Sequence, residues 1–433
     1  MSALFMERLP TMDPSLIHPN MMPTTAGQAA VWYADQRREA NGGYNATIVW
    51  TINRDVAAAE IAAAWSRICA ETPALAVRIG LNSDGVVVQW LSTEELSQEY
   101  VDFQESPDGE TEAATFLADR SGQAFDTDGG PLARLVVARV RRDVVVVTLV
   151  AHHLIIDGVS QVYLARRFAA ALQAFDGKRP SQHYADLIDI VRQAGSRRHA
   201  ADRVYWSERL AGFLNGADWF AAGRAGDTGV RAGYRRGALV GDGLTSLSAA
   251  AHDLGVGVYL LVAAAVHRAM AIACAGRTVV CSAVSVRPAG GAHDDVVGCF
   301  INLIPLTARH VPGETLAELV RRESAGWRED HRHRNFSLLD VAGTGGMASA
   351  VPNRLDRAFF SYRETDPTLT WTGSGRDVSA QLFTKYPTTR SNLTVRFLRG
   401  ADRFHYEIEW STATPWGVVF ADDLEAWLQS PAR

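Results

Sequence analysis

The residues most able to do chemistry in this chain are His152, His153 and Asp157, which are followed directly by Gly158. They come at the end of a strongly apolar run, VVVVTLVA, and polar groups at the end of a buried strand cost free energy unless they are partnered or used. His153 is the best candidate for a general base, because an unperturbed imidazole has a pKa of about 6.5, close to the optimum for proton transfer at neutral pH. Gly158 would let the backbone turn sharply into a following helix, where exposed N–H groups could bind an oxyanion.

Two other interpretations of this run are open. The polar groups could be hydrogen-bonded structural residues, but two histidines, an aspartate and a glycine at one strand-to-helix junction favour chemistry. A metal site using His153 and Asp157, four positions apart, lacks an HExxH pattern and a nearby third ligand, so we expect no metal. We expect His331 and His333 to lie at a solvated basic helix end rather than to form a metal pair.

Strand-like and helix-like segments alternate along the chain, which predicts a mixed α/β fold that positions these residues. Strands are predicted at Tyr44–Ile52, Pro131–Arg141, Asp143–Val150, Thr278–Val286, Arg357–Tyr362, Ser391–Leu398 and Phe404–Trp410. Helices are predicted at Asp55–Cys69, Ser160–Phe175, Tyr184–Leu210, Val256–Ala273 and Ala421–Leu428. The break Asp176–Pro180 contains Gly and Pro, and it predicts a boundary between residues 1–178 and 179–433.

Length and composition limit the class of protein. At 433 residues the chain is too long for one compact core, and its net charge of −5 argues against nucleic acid as a partner. The N-terminus has no apolar signal segment, and the uncharged stretch Leu254–Val266 is too short to span a bilayer. The cysteines stand in apolar contexts without a CxxC pair: Cys69, Cys274, Cys281 and Cys299. We therefore expect reduced thiols in a soluble, cytoplasmic protein with no membrane partner.

The run His152–Gly158, HHLIIDG, resembles the HHxxxDG signature of nonribosomal-peptide condensation domains and related acyltransferases. Other stretches resemble further family motifs in the same order. Pro23–Trp32 resembles the opening L-T-x-A-Q…W motif, and Glu71–Arg78 resembles the segment R-H-x-x-L-R-T-x-F without its first two arginines. Tyr205–Leu210 resembles the Y-W…L helix, and Ser285–Pro288 together with Val297–Leu306 resembles R-P…V-G-x-F-x-N-x-x-P-L. The resemblance covers about residues 22 to 428.

The resemblance implies a fold of two chloramphenicol-acetyltransferase-like subdomains in a V shape with a central tunnel, the first subdomain carrying the HHxxxDG run. It implies that His153 is the catalytic histidine, which removes a proton from, or positions, the attacking amine or hydroxyl. Gly158 would supply a backbone N–H near the oxyanion, and His152 is grouped with these two as the residue that orients the loop. Asp157 would be structural, paired with Arg287 through a two-pronged guanidinium contact.

The resemblance also suggests two residues that could line the tunnel. Ser361 falls where the family lines its tunnel from the second subdomain, although a strand hydroxyl bonded to backbone is an equal alternative. Asn302 belongs to the V-G-x-F-x-N motif, for which packing or a latch role is equally open.

Motifs of several other enzyme classes are missing from the sequence, including GxSxG, a P-loop, a strand-linked GxGxxG, a carrier serine motif and an adenylation motif. We therefore expect a free-standing condensation enzyme of nonribosomal-peptide or polyketide biosynthesis, with no bound cofactor. Its donor would be an acyl or peptidyl thioester on the phosphopantetheine of a carrier protein acting in trans, and its acceptor a small amine or alcohol. A coenzyme A donor, a polyketide-associated O-acyltransferase and an epimerase of the same fold stay open. The intact HHxxxDG run disfavours a non-catalytic recruitment platform.

Overall fold

The computed structural model describes residues 21–36, 42–172, 184–214, 232–271, 277–290, 293–336, 358–371, 377–382, 391–412, 414 and 416–431. Its strands are β1 (Met22–Pro23), β2 (Asn45–Asn53), β3 (Val77–Leu81), β4 (Val87–Leu91), β5 (Gln98–Asp102), β6 (Ala133–Arg141), β7 (Val144–His152), β8 (Ala232–Val240), β9 (Arg277–Ser285), β10 (Ile301–Arg309), β11 (Ala358–Arg363), β12 (Thr368–Trp371), β13 (Asp377–Gln381), β14 (Leu393–Arg399) and β15 (Arg403–Ser411). Its helices are α1 (Ala26–Gln36), α2 (Ala58–Glu71), α3 (Gly109–Gly122), α4 (Gly158–Leu172), α5 (Tyr184–Leu214), α6 (Asp242–Asp253), α7 (Val258–Met270), α8 (Leu316–Arg332) and α9 (Gly417–Gln429).

The mixed α/β prediction is confirmed, and every predicted strand and helix has a counterpart in the structure. Two boundaries differ in ways that matter for the site. β7 continues through His152, and α4 begins at Gly158, two residues before the predicted start at Ser160. The predicted break at residues 176–180 and the thiol of Cys274 lie outside the described residues. Cys69, Cys281 and Cys299 are not in disulfide bonds.

The sheet that carries the histidines has the order β12-β13-β2-β7-β6-β5. β7 lies between β2 and β6 and is antiparallel to both, and every residue of β7 from Val147 through His152 is buried. α4 packs on this sheet through an aromatic contact: the rings of Trp50 and Phe168 are 4.4 Å apart, and Trp50 Nε1 donates to Ala165 O at 3.1 Å. The helix that follows the histidine run is thereby fixed against the strand that precedes it.

The second large sheet has the order β10-β9-β11-β14-β15-β8, and a small sheet has the order β1-β4-β3. Each six-stranded sheet has its own cluster of buried apolar residues, one including Ile48 and Val147 and the other Val279 and Phe360. α8 is anchored to the second sheet by the fully buried Trp327, whose Nε1 donates to Thr307 O of β10 at 2.9 Å. Separate cores under separate sheets are typical of two packed units.

The first sheet takes two of its strands from the second half of the chain. β12 pairs with β13, and β13 pairs with β2 in antiparallel register, with Val378 opposite Ile52. The predicted boundary at residue 178 stays a prediction, and the histidine-bearing sheet is completed by residues far beyond it.

In the described residues no single helix is long and apolar enough to cross a bilayer; α6 and α7 meet that test only as a pair bent by 94°.

Candidate active site

The histidine run forms a tight turn between β7 and α4. The N–H of His153 donates to Tyr44 O at 2.8 Å, and the N–H of Ile155 donates to His152 O at 3.0 Å. Leu154, Ile155 and Ile156 are completely buried, so the three apolar residues between the histidines and Asp157 anchor the turn in the core. Packing therefore holds the polar residues on either side in fixed positions.

His153 is half-buried and lines a cavity of about 1000 Å³. Its Nδ1 lies 3.2 Å from Ile156 O. A carbonyl oxygen can only accept a hydrogen bond, so in the neutral ring this contact places the proton on Nδ1 and the lone pair on Nε2. A neutral imidazole with a basic Nε2 is the form that a general base requires.

His152 lies on the other side of the turn and does not line the cavity. It is 2% exposed, and its Nδ1 accepts a hydrogen bond from the N–H of Leu154 at 3.2 Å. Its Nε2 lies 3.7 Å from Asp35 Oδ2. This side chain touches the turn rather than the cavity, which fits the predicted orienting role; a direct part in catalysis stays a prediction.

Asp157 caps α4 and is 1% exposed. Its Oδ1 accepts from the N–H and the Oγ of Ser160, both at 2.8 Å, and its backbone carbonyl accepts from the N–H of Gln161 at 2.9 Å. Its Oδ2 accepts from the N–H of Phe300 at 3.0 Å. The carboxylate is thus the N-cap of α4, and it also holds the segment before β10 through the hydrogen bond from Phe300.

Arg287 lies against Asp157, as the resemblance implies, but the two-pronged contact is wrong. Only Nη2 reaches the carboxylate, at 3.1 Å from Oδ1 and 2.9 Å from Oδ2. Nη1 instead donates to the carbonyls of His293 and Val296, at 2.7 and 2.8 Å. The guanidinium divides its donors because it is buried beside a loop whose carbonyls also need partners.

Gly158 begins α4, and the expectation that it is needed for a sharp turn is wrong. It is not among the glycines with positive φ; the constraint is space, since a Cβ at this position would lie 2.5 Å from Nη1 of Arg363. Within the described part of the chain, the N–H groups of Gly158 and Val159 donate no hydrogen bond, because the first N–H groups of a helix have no carbonyl one turn earlier to donate to, and of these groups Asp157 accepts only those of Ser160 and Gln161. Two N–H groups at the positive end of a helix are suited to a developing oxyanion.

The cavity has a volume of about 1000 Å³ and is lined from both large sheets. His153 and Gly158 contribute from the first unit, and Leu303, Phe359 and Ser361 from the second. Its walls combine apolar side chains with charged ones, which suits a substrate that has both an apolar part and a polar end.

The two residues suggested as tunnel lining have different positions. Ser361 is 8% exposed and lines the large cavity. Asn302 does not: it borders a smaller pocket, and its Nδ2 donates to Arg334 O at 2.7 Å and to Phe336 O at 2.8 Å. Both amide hydrogens of Asn302 are donated to carbonyls of the segment that follows α8. This position fits the packing alternative for Asn302 and not the lining of the large cavity.

The expectation of a solvated helix end for His331 and His333 is also wrong. His333 is 7% exposed, and its ring nitrogens lie 2.6 Å from Asp202 Oδ1 and 3.2 Å from Glu329 Oε1. Burial lowers the pKa of His331 to about 4. The sequence shows the basic residues of this segment, but not that α5 packs over it.

Sequence reasoning missed Gln161 and Arg363. Gln161 lies three residues after Gly158 on α4, a spacing that places both on one helix face. Arg363 comes 202 positions further along the chain than Gln161, and no local signal connects the two.

The chain combines a mixed α/β fold with an HHxxxDG run at a strand-to-helix junction. This run faces a cavity between two sheets, which is typical of the HHxxxDG class of proteins. The Condensation domain family model matches residues 19–360, and the chain belongs to that family. Phosphinothricin tripeptide synthetase PhsC of Streptomyces viridochromogenes is 26% identical over 315 residues, which are 69% of this chain and 28% of that protein. Surfactin synthase subunit 2 of Bacillus subtilis is 23% identical over 225 residues, 50% of this chain and 6% of that protein. The chain thus spans less than a third of the length of these relatives.

Solved structures show the same fold. The starter condensation domain of rhizomide synthetase RzmA, as a variant in complex with C8-CoA, superposes with a TM-score of 0.77 at 19% identity, covering 95% of this chain and 94% of that one. The first condensation domain of the calcium-dependent antibiotic synthetase gives a TM-score of 0.74 at 19% identity, covering 96% and 98%. The likeness confirms two chloramphenicol-acetyltransferase-like subdomains; the V shape and the tunnel stay predictions.

Proposed function

We propose that this chain transfers an acyl or peptidyl group from the phosphopantetheine thioester of a carrier protein, acting in trans, to a small amine or alcohol. The observation that carries the proposal is the contact between His153 Nδ1 and Ile156 O, which leaves Nε2 as the basic nitrogen of a residue lining the cavity. The similar starter condensation domain of rhizomide synthetase RzmA was solved in complex with C8-CoA, which supports a thioester donor. The phosphopantetheine belongs to the carrier, so the chain needs no cofactor of its own.

In the first half of the reaction the neutral acceptor nitrogen, or the hydroxyl oxygen, attacks the thioester carbonyl carbon. His153 Nε2 takes the proton that the nucleophile releases, and the carbonyl electron pair moves onto oxygen, which the N–H groups of Gly158 and Val159 can stabilise. In the second half the C–S bond breaks, and the imidazolium returns its proton to the departing thiolate. The products are an amide or ester, a free thiol and neutral His153.

Two effects contribute to the rate enhancement. The thioester is already activated, so holding donor and acceptor in line in one cavity is the main contribution. General-base help contributes roughly 10²–10⁴-fold. Loss of His153 should therefore remove most of the turnover without altering the fold.

The test is intact-mass analysis of a carrier protein loaded with an acyl group, incubated with this chain and with amine or alcohol acceptors. Wild type should unload the carrier onto the acceptor, His153→Ala should not, and His252→Ala, which removes a histidine that is 90% exposed, should behave as wild type. Transfer by His153→Ala at the wild-type rate would refute the base role. A parallel incubation in deuterium oxide separates the epimerase alternative, which exchanges the substrate α-hydrogen without transfer, and an acyl-CoA arm tests the donor.

A further inference from the structure

Gln28, in the first turn of α1, reaches the histidine turn with its side-chain amide. It is completely buried, and its Nε2 donates to Leu154 O at 2.9 Å and to Gln89 Oε1 at 3.1 Å. Within the residues that the structure describes, no backbone N–H donates to Leu154 O. The side chain of Gln28 is therefore the donor that satisfies this buried carbonyl of the turn.

Leu154 directly follows His153, and the peptide groups on both sides of it are held. Its N–H donates to His152 Nδ1 at 3.2 Å, and its carbonyl accepts from Gln28. The contact between His153 Nδ1 and Ile156 O, at 3.2 Å, closes a loop that contains this carbonyl. A peptide group is planar, so fixing Leu154 O also fixes the unit that leads on towards Ile156. The position of Ile156 O relative to the ring thus depends on the bond from Gln28.

The amide of Gln28 is itself fixed in the orientation that this bond needs. Its Oε1 accepts from the N–H of Thr25 at 3.0 Å, and Oγ1 of Thr25 accepts from the N–H of Gln28 at 3.1 Å, which is a capping box at the start of α1. The hydroxyl of Tyr184 donates to Gln89 Oε1 at 2.6 Å and lies 3.4 Å from Gln28 Nε2. A flipped amide would lose the bond from Thr25 and would place Oε1 against Leu154 O, where two acceptors repel each other.

We propose that Gln28 is a positioning residue for His153. By holding Leu154 O it keeps His153 Nδ1 against Ile156 O, so the neutral ring carries its proton on Nδ1 and presents Nε2 as the base. Gln28 is not part of the wall of the cavity that His153 lines, so it acts through the turn and not through a contact with substrate. This role rests on the acyl transfer proposed above, in which Nε2 takes the proton of the acceptor.

A merely structural amide would give a different result from a positioning amide. It would add stability to the fold without deciding which nitrogen of the His153 ring carries the proton. The readout that separates the two roles is therefore the tautomer of this ring, which can be observed without any substrate.

The test is NMR of protein labelled with ¹⁵N in its histidine rings, using two-bond ¹⁵N–¹H correlations to assign the tautomer. Spectra are recorded at about pH 8, above the ordinary histidine pKa of about 6.5, and the His153 signals are identified by their loss in His153→Ala. Gln28→Met keeps the length of the side chain without its donor, and Gln28→Asn keeps an amide but withdraws it by one methylene. The second variant carries the test if the first does not fold, which thermal melting shows.

Tyr184→Phe is the matched control. It removes a hydroxyl from the same buried network but leaves Gln28 donating to Leu154 O. A general effect of disturbing this network should appear in Tyr184→Phe as well as in the Gln28 variants, whereas an effect of the bond to Leu154 should appear in the Gln28 variants alone.

We expect the His153 ring to carry its proton on Nδ1 in wild type and in Tyr184→Phe, and to shift towards the form protonated on Nε2 in Gln28→Met and Gln28→Asn. In the mass assay with a loaded carrier, Gln28→Met should lower kcat roughly 10-fold or more and leave KM unchanged, because the base is misplaced while the cavity wall is intact. Tyr184→Phe should keep the wild-type kcat.

Three results would overturn the inference: a wild-type His153 ring protonated on Nε2, an unchanged tautomer in the folded Gln28 variants, or an equal shift in Tyr184→Phe. Absence of transfer by wild type would instead refute the proposed function, and the tautomer of His153 would still decide the role of Gln28.

Discussion

Replacing Asp157 with alanine tests whether this carboxylate is scaffolding. It removes the acceptor for four donor groups, which are the N–H and Oγ of Ser160, the N–H of Phe300 and Nη2 of Arg287, and it leaves a guanidinium that is 5% exposed without its anion. Breaking one side of a buried ion pair costs about 3–5 kcal/mol, and losing an N-cap costs about 1 kcal/mol. Because the two effects share one carboxylate, we expect a loss of roughly 4 kcal/mol in the free energy of unfolding.

The assay is urea unfolding followed by tryptophan fluorescence and far-UV circular dichroism. Asp422→Ala is the matched control, since its side chain is 62% exposed and should change the unfolding free energy by less than about 0.5 kcal/mol. If Asp157→Ala were as stable as Asp422→Ala, the carboxylate would not be structural.

The remaining predictions concern the base, the glycine and a buried histidine. His153→Ala should lower the transfer rate roughly 10²–10⁴-fold with an unchanged melting temperature; a lowered melting temperature would contradict a purely catalytic role. Gly158→Ala should displace the Arg363 guanidinium, which its Cβ would meet at 2.5 Å, and should lower kcat/KM at least about 10-fold in the mass assay; wild-type kinetics would show that the guanidinium position is immaterial. Burial lowers the pKa of His267 to about 3, so the unfolded chain binds its proton first, and stability should fall as the pH drops from about 6.5 towards 3. His267→Gln should show a smaller loss of urea midpoint between pH 7 and pH 5; an equal loss would place the pH dependence elsewhere.

The parts of the fold that local patterns encode were predictable. The run of β-branched residues before His152 predicts β7, and apolar residues at helical spacing predict α4, because both signals are contained within a few turns or one strand length. The resemblance to the family's motifs also predicted that Arg287 pairs with Asp157, although the two residues are far apart in the sequence. The donor geometry of Arg287 depends on the carbonyls of His293 and Val296, which no motif records.

What the sequence could not predict is pairing between distant segments. β13 joins β2 although more than 300 residues separate them along the chain, and strand pairing leaves no local pattern beyond short apolar alternation. Arg363 reaches Gly158 only because β11 of the second sheet faces the start of α4. An arginine at the end of a predicted strand is most simply a solvated residue, so only the fold reveals its contact.

The hydroxyl of Ser160 shows why chemistry and architecture cannot be separated at this site. It donates to Asp157 Oδ1 at 2.8 Å, lies 2.9 Å from Gly298 O and accepts from the N–H of Gly298 at 3.0 Å. One hydroxyl hydrogen serves only one acceptor at a time, so Asp157 and the carbonyl of Gly298 compete for it, while the N–H of Gly298 occupies a lone pair. The first turn of α4 is thereby tied to the loop that leads into β10 of the second sheet. The N–H groups proposed to bind the oxyanion belong to that same turn, so a contact between the two units also supports the start of α4. The residues that hold the two units together are therefore the same residues that hold the proposed oxyanion donors in place.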